Sequence, residues 1–480
     1  MELLKNKYIG NFALKSMKSK AANFLHCPMD EAMEKQDKML EEKFERMERA
    51  AIGKKFGINK NSKLEGISLT NYEFYKPFYD SPQTDGLMYD RKDYATIETS
   101  GTSGARKRFL FPKHAITRSL RETGMSLLML MFHNGEKITL EYGDLIFVNT
   151  GAGPFAGGVF TALGSKEMGI VKFVPNINLS YMDKVDYFIK NYEKIDGAVI
   201  YASTLLSQVM PKIQKAIQLK ALITMDSVVA DANKETIREF TGVYPKSPYG
   251  STETLMCSIT SSQYPLGNIF DWRRGIFEFI PKKSGKSVLL KMDEVRVGEI
   301  YQPVFTSFHT EITRYVLNDF LLVVSKKDDL LGADWPVFKY NSRAEKTISI
   351  QNFTRISEGE ILQVLDDLYV PYVEFAARLE IVNSLEFMVL YMEFSKTVSL
   401  EEVAVRIHDK LCEIDSDYKC LSSFFGYRPI MIRKVPTGTF AKFLDWKGGS
   451  LPKVDRINMC DEDFSKLSAM LGEDTLMGQS

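Results

Sequence analysis

The sequence predicts a multidomain α/β (α+β) protein, because of its length, its hydrophobic patterning and a change of pattern along the chain. Its 480 residues exceed what a single hydrophobic core usually organises. Between Tyr94 and Phe320, β-rich runs such as LIFVNT (residues 145–150) and DGAVIYAS (196–203) alternate with helical segments, which is typical of an α/β sheet unit. After Gly275, the runs IFEFIP, SVLLKM and DFLLVVS predict a smaller, mainly antiparallel sheet or β-barrel-like subdomain.

The two ends of the chain predict further elements. Apolar residues at helical spacing across residues 30–56 indicate one long amphipathic helix, which we interpret as packing on its own domain; a partner-binding coiled coil is the alternative. From about Ser342 an α+β pattern begins, and Ser357 followed by Glu360 is a capping-box signature that predicts a helix start. The predicted domains are a large N-terminal domain, residues 1–342, and a small C-terminal domain, residues 343–480.

Composition and charge exclude several classes of protein. Lys plus Arg and Asp plus Glu both number 62, so no net charge steers the chain toward nucleic acid or an anionic membrane. The five cysteines are scattered and form no C-x-x-C pair, which argues against a disulfide framework or a zinc site. No apolar run approaches the roughly 20 residues that span a bilayer. We therefore expect a soluble, cytoplasmic protein that binds neither nucleic acid nor a membrane.

The strongest local signal is the run TSGTSGARK at residues 99–107, just before a helical pattern from Lys113 onward. Glycines let backbone N–H groups turn toward a phosphate, hydroxyls donate further hydrogen bonds, and a basic side chain supplies the counter-charge. The run lacks the Walker A spacing, which disfavours a P-loop ATPase, and a structural loop rich in Gly and Ser is the alternative. The residues predicted to contact phosphate are Ser100, Gly101, Thr102, Ser103, Gly104 and Lys107.

This run resembles the phosphate loop of the adenylate-forming superfamily, and three later segments resemble the same superfamily in the expected order. YGSTE at residues 249–253 matches its aromatic-Gly-x-Thr-Glu motif, and RYVLND at 314–319 resembles the segment whose aspartate holds the ribose. Arg343 falls where a second ribose contact and the interdomain hinge are expected. The resemblance implies the adenylate-forming fold with a mobile C-terminal domain. It also implies that Glu253 binds magnesium. The residues that it implies contact ATP or AMP are Tyr249, Gly250, Ser251, Thr252, Glu253, Asp319 and Arg343.

Within that superfamily the chain is most similar to the plant auxin-responsive acyl-acid amido synthetases and their microbial relatives. The segments at residues 69–80, 297–323 and 436–456 carry this resemblance. It implies a ligase that uses ATP and Mg²⁺ to convert a small carboxylic acid into an acyl-AMP, releases pyrophosphate and transfers the acyl group to an amine. Two alternatives stay open: transfer to the thiol of coenzyme A, and a catalytically inactive nucleotide-binding sensor.

Two lysines are candidates for the catalytic ammonium, which must meet charge developing between the acyl oxygen and the phosphate. The amido synthetase resemblance favours Lys453, whereas the superfamily's Pro-x-Thr-x-x-Gly-Lys signature favours Lys442. An apolar acyl pocket is the second expectation, with loop and helix packing as its alternative. The residues predicted to line it are Phe155, Val159, Tyr201 and Leu205.

Overall fold

The structure, a computed structural model, describes residues 6–81, 86–98, 107–149, 169–282, 288–343, 347–351, 353–447 and 454–471. These residues form two compact units, a larger one that ends at Ala344 and a smaller one from Glu345 onward. None of the described helices combines the length and the hydropathy of a membrane-spanning segment.

Four helices open the larger unit: α1 Lys7–Lys20, α2 Met29–Glu48, α3 Ala51–Phe56 and α4 Tyr72–Asp80. The predicted amphipathic pattern is confirmed, because Leu40, Phe44 and Met47 are buried in the core of this unit. The prediction of one uninterrupted helix is wrong, since α2 ends at Glu48 and α3 begins at Ala51. A Cβ at Gly53 would lie 1.8 Å from the Met47 carbonyl oxygen, so only glycine permits this close approach of α3 to the end of α2.

The larger unit continues with seven α-helices, besides short 3-10 and π-helical segments, and fifteen strands among its described residues. The helices are α5 Lys113–Ser119, α6 Met125–Met131, α7 Tyr181–Asn191, α8 Ala202–Thr204, α9 Met210–Ile213, α10 Ser227–Ala232 and α11 Lys234–Thr241. The strands are β1 Tyr94–Glu98, β2 Arg108–Pro112, β3 Leu145–Val148, β4 Lys172–Val174, β5 Gly197–Val199, β6 Ala221–Ile223, β7 Gly250–Ser251, β8 Leu255–Met256, β9 Ser258–Thr260, β10 Gly267–Phe270, β11 Gly275–Pro281, β12 Ile300–Ser307, β13 Tyr315–Val316, β14 Asp319–Ser325 and β15 Val337–Arg343.

A parallel sheet of four strands, in the order β4-β3-β5-β6, contains both β-rich runs of the predicted α/β unit. Ile146 and Phe147 of β3 and Ala198 of β5 are fully buried, as expected for parallel strands covered on both faces. The second run is a strand only as far as Val199, because α8 begins at Ala202.

The antiparallel character predicted after Gly275 is confirmed in a seven-stranded sheet in the order β11-β12-β14-β15-β10-β9, with β13 paired to β12. The expected small size and start are wrong, since this sheet has more strands than the parallel one and also includes β9 and β10 from before Gly275. The runs IFEFIP and DFLLVVS form β11 and β14. The run SVLLKM was expected to be a strand, but in its described part only Leu290 is paired, through two hydrogen bonds with Phe279. A turn across residues 292–294 ends this pairing.

The smaller unit has the predicted α+β character. Its described elements are β16 Thr347–Ile350, β17 Thr354–Ser357, α12 Glu358–Asp367, β18 Tyr372–Val382, β19 Leu385–Phe394, α13 Leu400–Ile414, α14 Ser416–Phe425, β20 Ile430–Val435, α15 Thr439–Lys447 and α16 Asp461–Ala469. Strand β19 pairs antiparallel with β18 and parallel with β20. The capping box is confirmed, because the Ser357 hydroxyl accepts from the Glu360 N–H while the Glu360 carboxylate accepts from the Ser357 N–H.

Candidate functional site

Several predicted site residues lie outside the described part of the chain. They are Ser100, Gly101, Thr102, Ser103 and Gly104 of the phosphate loop, Phe155 and Val159 of the acyl pocket, and the candidate catalytic Lys453. Of Arg343 the structure describes the backbone alone.

The strands on either side of the predicted phosphate loop pair with each other. Strands β1 and β2 are antiparallel, with Glu98 directly opposite Arg108. Lys107, at the end of the loop sequence, has its ammonium 5.5 Å from the centre of the Tyr72 ring. The Tyr72 hydroxyl in turn accepts a 3.0 Å hydrogen bond from the Arg108 N–H. Tyr72, the first residue of α4, therefore contacts both Lys107 and Arg108, and an ammonium over an aromatic ring is stabilised by the negative face of that ring.

The YGSTE segment contains β7 and the first two residues of the tight turn that joins β7 to β8. Its first residue is fixed from both sides, because the Tyr249 N–H donates to Asn268 Oδ1 at 2.7 Å and the Tyr249 carbonyl accepts from the Ser258 hydroxyl at 2.6 Å. The Ser251 N–H donates to Thr254 Oγ1 at 3.0 Å, which closes the turn. The turn places Thr252 and Glu253, both half-buried, at the tip of this small hairpin.

Three residues predicted to bind the nucleoside come together at the start of β14. The Tyr249 hydroxyl donates to Asp319 Oδ2 at 3.0 Å, and both side chains are buried. Arg343 of β15 is the strand partner of Asp319. Asp319 is thus adjacent in space to Tyr249, 70 positions earlier, and to Arg343, 24 positions later, as a shared nucleoside site requires.

Glu253 is paired with a phenol that the sequence analysis did not single out. The Tyr315 hydroxyl donates to Glu253 Oε1 at 3.2 Å. Burial, and then the Glu253 carboxylate, raise the pKa of the Tyr315 hydroxyl above its ordinary value, so the phenol stays protonated and acts as a donor. Tyr315 lies inside the RYVLND segment, where a tyrosine beside the arginine was the available signal.

Tyr201 and Leu205, the described members of the predicted acyl pocket, lie just beyond the carboxyl end of β5. Leu205 is fully buried, and its N–H donates to the Tyr201 carbonyl at 2.9 Å. Burial and the nearby Asp226 carboxylate raise the pKa of the Tyr201 hydroxyl. Carboxyl ends of parallel strands are where open α/β sheets bind ligands, so the location is compatible with a pocket.

The alternative catalytic lysine, Lys442, is exposed in the first turns of α15. This helix is capped by Glu393 of β19, whose carboxylate accepts from the N–H groups of Gly438 at 2.7 Å and Phe440 at 3.2 Å. Gly438 has φ +81°, a left-handed conformation that favours glycine. The Thr-Gly-Thr-Phe sequence is thus explained locally as a helix start.

A magnesium ion that accompanies a nucleotide is compatible with the residues present. In the described ranges, no three His, Cys, Asp or Glu side chains gather into a cage that could hold a metal ion. Nucleotide-bound Mg²⁺ needs only one or two protein carboxylates, because phosphate and water oxygens supply the other ligands. The half-buried Glu253 carboxylate, oriented by a phenol, meets that requirement.

Comparison with solved structures gives extensive matches, whereas no protein-family model and no curated protein sequence matches the chain. One match is a 2-hydroxyisobutyryl-CoA ligase in complex with 2-HIB-AMP and CoA, with a TM-score of 0.61 and 15% identity, covering 92% of this chain and 93% of that one. Another is an acyl acid amido synthetase in complex with 2,4-DB, with a TM-score of 0.50 and 15% identity, covering 98% and 97%. Both are adenylate-forming enzymes. Over almost its whole length, the chain therefore has the fold of the adenylate-forming enzymes.

Proposed function

We propose that the chain is a ligase that activates a carboxylic acid with ATP and then transfers the acyl group to an amine. The observation that carries this proposal is the convergence of Tyr249, Asp319 and Arg343, with Glu253 on the adjoining turn, in a chain with the adenylate-forming fold. In the first step a carboxylate oxygen of the acid attacks the α-phosphorus of ATP, and pyrophosphate leaves. In the second, the acceptor nitrogen attacks the acyl carbon, loses a proton and displaces AMP.

Each residue has a proposed task in binding or orientation. Asp319 and Arg343 would hold the ribose, Tyr249 would flank the adenine, and the hydroxyl of Thr252 would meet the α-phosphate. Glu253 would hold Mg²⁺, which when bound neutralises phosphate charge. Because positioning and charge neutralisation carry such reactions, no protein nucleophile is needed. The residues proposed to cradle the remaining phosphates are Ser100, Gly101, Thr102, Ser103, Gly104 and Lys107, with Gly250 and Ser251 shaping the turn.

The C-terminal part of the proposal concerns residues 343–480. We propose that this region is a mobile domain that brings an ammonium to the reacting oxygen, with Lys453 favoured over Lys442. The local explanation of the Thr-Gly-Thr-Phe sequence as a capped helix start supports that preference. For the acyl group we propose a pocket that includes Tyr201 and Leu205, together with Phe155 and Val159. The scattered cysteines support a cytoplasmic enzyme, and the balanced charge supports action on small molecules rather than on nucleic acid or a membrane.

A second candidate function is acyl transfer to coenzyme A. It is favoured by the similarity to the ligase that was solved with CoA bound. An inactive nucleotide sensor is the third reading, which the retention of Glu253, Asp319 and Lys107 argues against.

ATP–pyrophosphate exchange with Mg²⁺, across a panel of aryl, indolic and fatty acids, tests the first step. We expect exchange that depends on the acid and is lost in Glu253→Ala but kept in Glu299→Ala. Glu299 is a suitable control because it also accepts a tyrosine hydrogen bond, from Tyr301 at 2.6 Å, at a distance along the chain from the motif. Amino acids and coenzyme A are then compared as acceptors. Nucleotide binding without exchange for any acid would favour the sensor.

A further inference from the structure

The Glu253–Tyr315 pair joins two separate elements of the larger unit. Glu253 lies on the turn between β7 and β8, whereas Tyr315 begins β13 and is only 2% exposed. The 3.2 Å hydrogen bond between them crosses 62 positions of sequence. A carboxylate on a short turn keeps several rotamers unless a partner selects one. The rigidity of the Tyr315 segment therefore determines how well the carboxylate is oriented.

A buried lysine holds the residues just before Tyr315. Lys43 of α2 is fully buried, and its ammonium donates to the Ile312 carbonyl at 2.6 Å and to Thr313 Oγ1 at 2.7 Å. The Thr313 N–H donates to the Tyr75 hydroxyl at 2.9 Å. Burial lowers the pKa of Lys43 well below its ordinary value, and a buried polar group that loses its hydrogen bonds is costly, so these contacts hold residues 312 and 313 in place.

Arg314 fixes the backbone immediately beside Tyr315. Its φ of +44° is a left-handed conformation that a non-glycine residue keeps only when its surroundings impose it. The guanidinium forms two hydrogen bonds with Glu278, at 2.9 and 2.8 Å, and a third with the Ile67 carbonyl at 2.6 Å. Thr70 forms backbone hydrogen bonds on both sides of Tyr315: its N–H donates to the Arg314 carbonyl, and its carbonyl accepts from the Val316 N–H.

We propose that Tyr315 is a positioning residue for Glu253, fixing the orientation in which this carboxylate receives the Mg²⁺ that accompanies ATP. The inference rests on the proposed function. The phenol touches neither the nucleotide nor the reacting atoms in this scheme; it acts through the carboxylate. A fixed donor on one carboxylate oxygen reduces the entropy lost when the ion binds, and this contribution exists only in the presence of Mg²⁺.

Calorimetric measurement of ATP affinity, once with Mg²⁺ and once with EDTA, separates positioning from general stability. For Tyr315→Phe we expect the affinity that Mg²⁺ adds to fall roughly tenfold, the lower end of the range for a hydrogen bond to a charged group, with unchanged affinity in EDTA. The control is Tyr301→Phe, which removes a tyrosine–glutamate hydrogen bond of the same sheet, and it should match the unmodified protein. An equal loss with and without Mg²⁺ would mean a merely structural role and would overturn the proposal.

Glu253→Ala distinguishes failure of this inference from failure of the proposed function. In that background Tyr315→Phe should cause no further loss, because the two residues act as one unit. If Glu253→Ala keeps the full Mg²⁺-dependent affinity, the proposed metal role of Glu253 fails. If it loses that affinity while Tyr315→Phe keeps it, only the positioning role fails.

Glu253→Asp decides the question if Tyr315→Phe does not fold, as judged by thermal unfolding. It retains the charge but is one methylene shorter, which draws the carboxylate away from the phenol. We expect a loss similar to that of Tyr315→Phe, and full retention of the Mg²⁺-dependent affinity would contradict the proposal.

Discussion

At the residue scale, the Tyr249 hydroxyl offers a direct test of the nucleoside site. Tyr249→Phe removes the donor to Asp319 and leaves the ring in place. Because a hydrogen bond to a charged group contributes about 1.5–3 kcal/mol, we expect AMP binding to weaken by roughly ten- to a hundredfold, measured by calorimetry without metal. Tyr244→Phe, which removes an exposed bond to Glu235, should change AMP affinity little. Equal affinities for the two variants would contradict the assignment.

His309 makes the stability of the larger unit depend on pH. Burial, followed by the charge of Arg274 and then Arg118, lowers the pKa of His309 to about 3. Below the ordinary histidine pKa near 6.5, His309 is protonated in the unfolded chain but stays neutral in the folded chain. Its contribution to the free energy of unfolding is therefore fully present above pH 6.5 and is lost as the pH falls toward 3.

The His309 contribution to this slope is about 1.4 kcal/mol per pH unit. Urea unfolding of the unmodified protein and of His309→Gln at pH 6.5 and 5.0 measures it. We expect a smaller pH dependence in the variant, and identical slopes would contradict the prediction.

At the scale of elements, the break between α2 and α3 depends on one glycine. In Gly53→Ala the new methyl group would meet the Met47 carbonyl oxygen at 1.8 Å, which forces the two helices apart. We expect a loss of about 2–4 kcal/mol in the free energy of unfolding, as for overpacked or strained core sites. Gly66→Ala is the control, because nothing lies within 4 Å of its Cβ position, and it should be nearly neutral. Urea unfolding compares them.

The same elements explain which local predictions succeeded. The capping box of Ser357 and Glu360 is encoded within four residues, so its sequence signature was sufficient. The interruption after Glu48 could not be predicted, because amphipathic spacing continues across it and the approach of Gly53 to the Met47 carbonyl is visible only in the folded chain. The run at residues 287–292 was overpredicted because its apolar character resembles that of a strand, although only Leu290 finds a partner among the described residues.

At the scale of the whole molecule, the chain folds into two compact units. Because proteins of more than one domain depart from two-state unfolding, we expect two unfolding transitions in calorimetry. Arg314→Ala should lower the transition of the larger unit, because it leaves buried Glu278 without its partner. Ser357→Ala should lower only the transition of the smaller unit, by the equivalent of about 1 kcal/mol for a lost cap. A single transition shifted by both substitutions would contradict this separation.

Site residues that stand in contiguous sequence motifs could be predicted, whereas the hydrogen-bond partners that other segments supply to them could not. Tyr249, Glu253 and Asp319 stand in recognisable segments, and the structure brings Tyr249 and Asp319 into contact. The partner of Glu253 could not be found in this way, since Tyr315 meets it only through the hairpin and the adjoining strand. The positions of Phe155, Val159 and Lys453 stay predictions, because they lie outside the described residues.

The pairing of β1 with β2 has a practical consequence for engineering. Since Glu98 and Arg108 are directly opposite, the ends of the intervening segment are held about 5 Å apart by the strands themselves. Loop-closure entropy changes only slowly with length, so segments of different length or composition can be exchanged there while the anchoring strands stay paired. This pair of strands is thus a natural graft point at which different sequences for the segment predicted to bind phosphate can be compared in one scaffold.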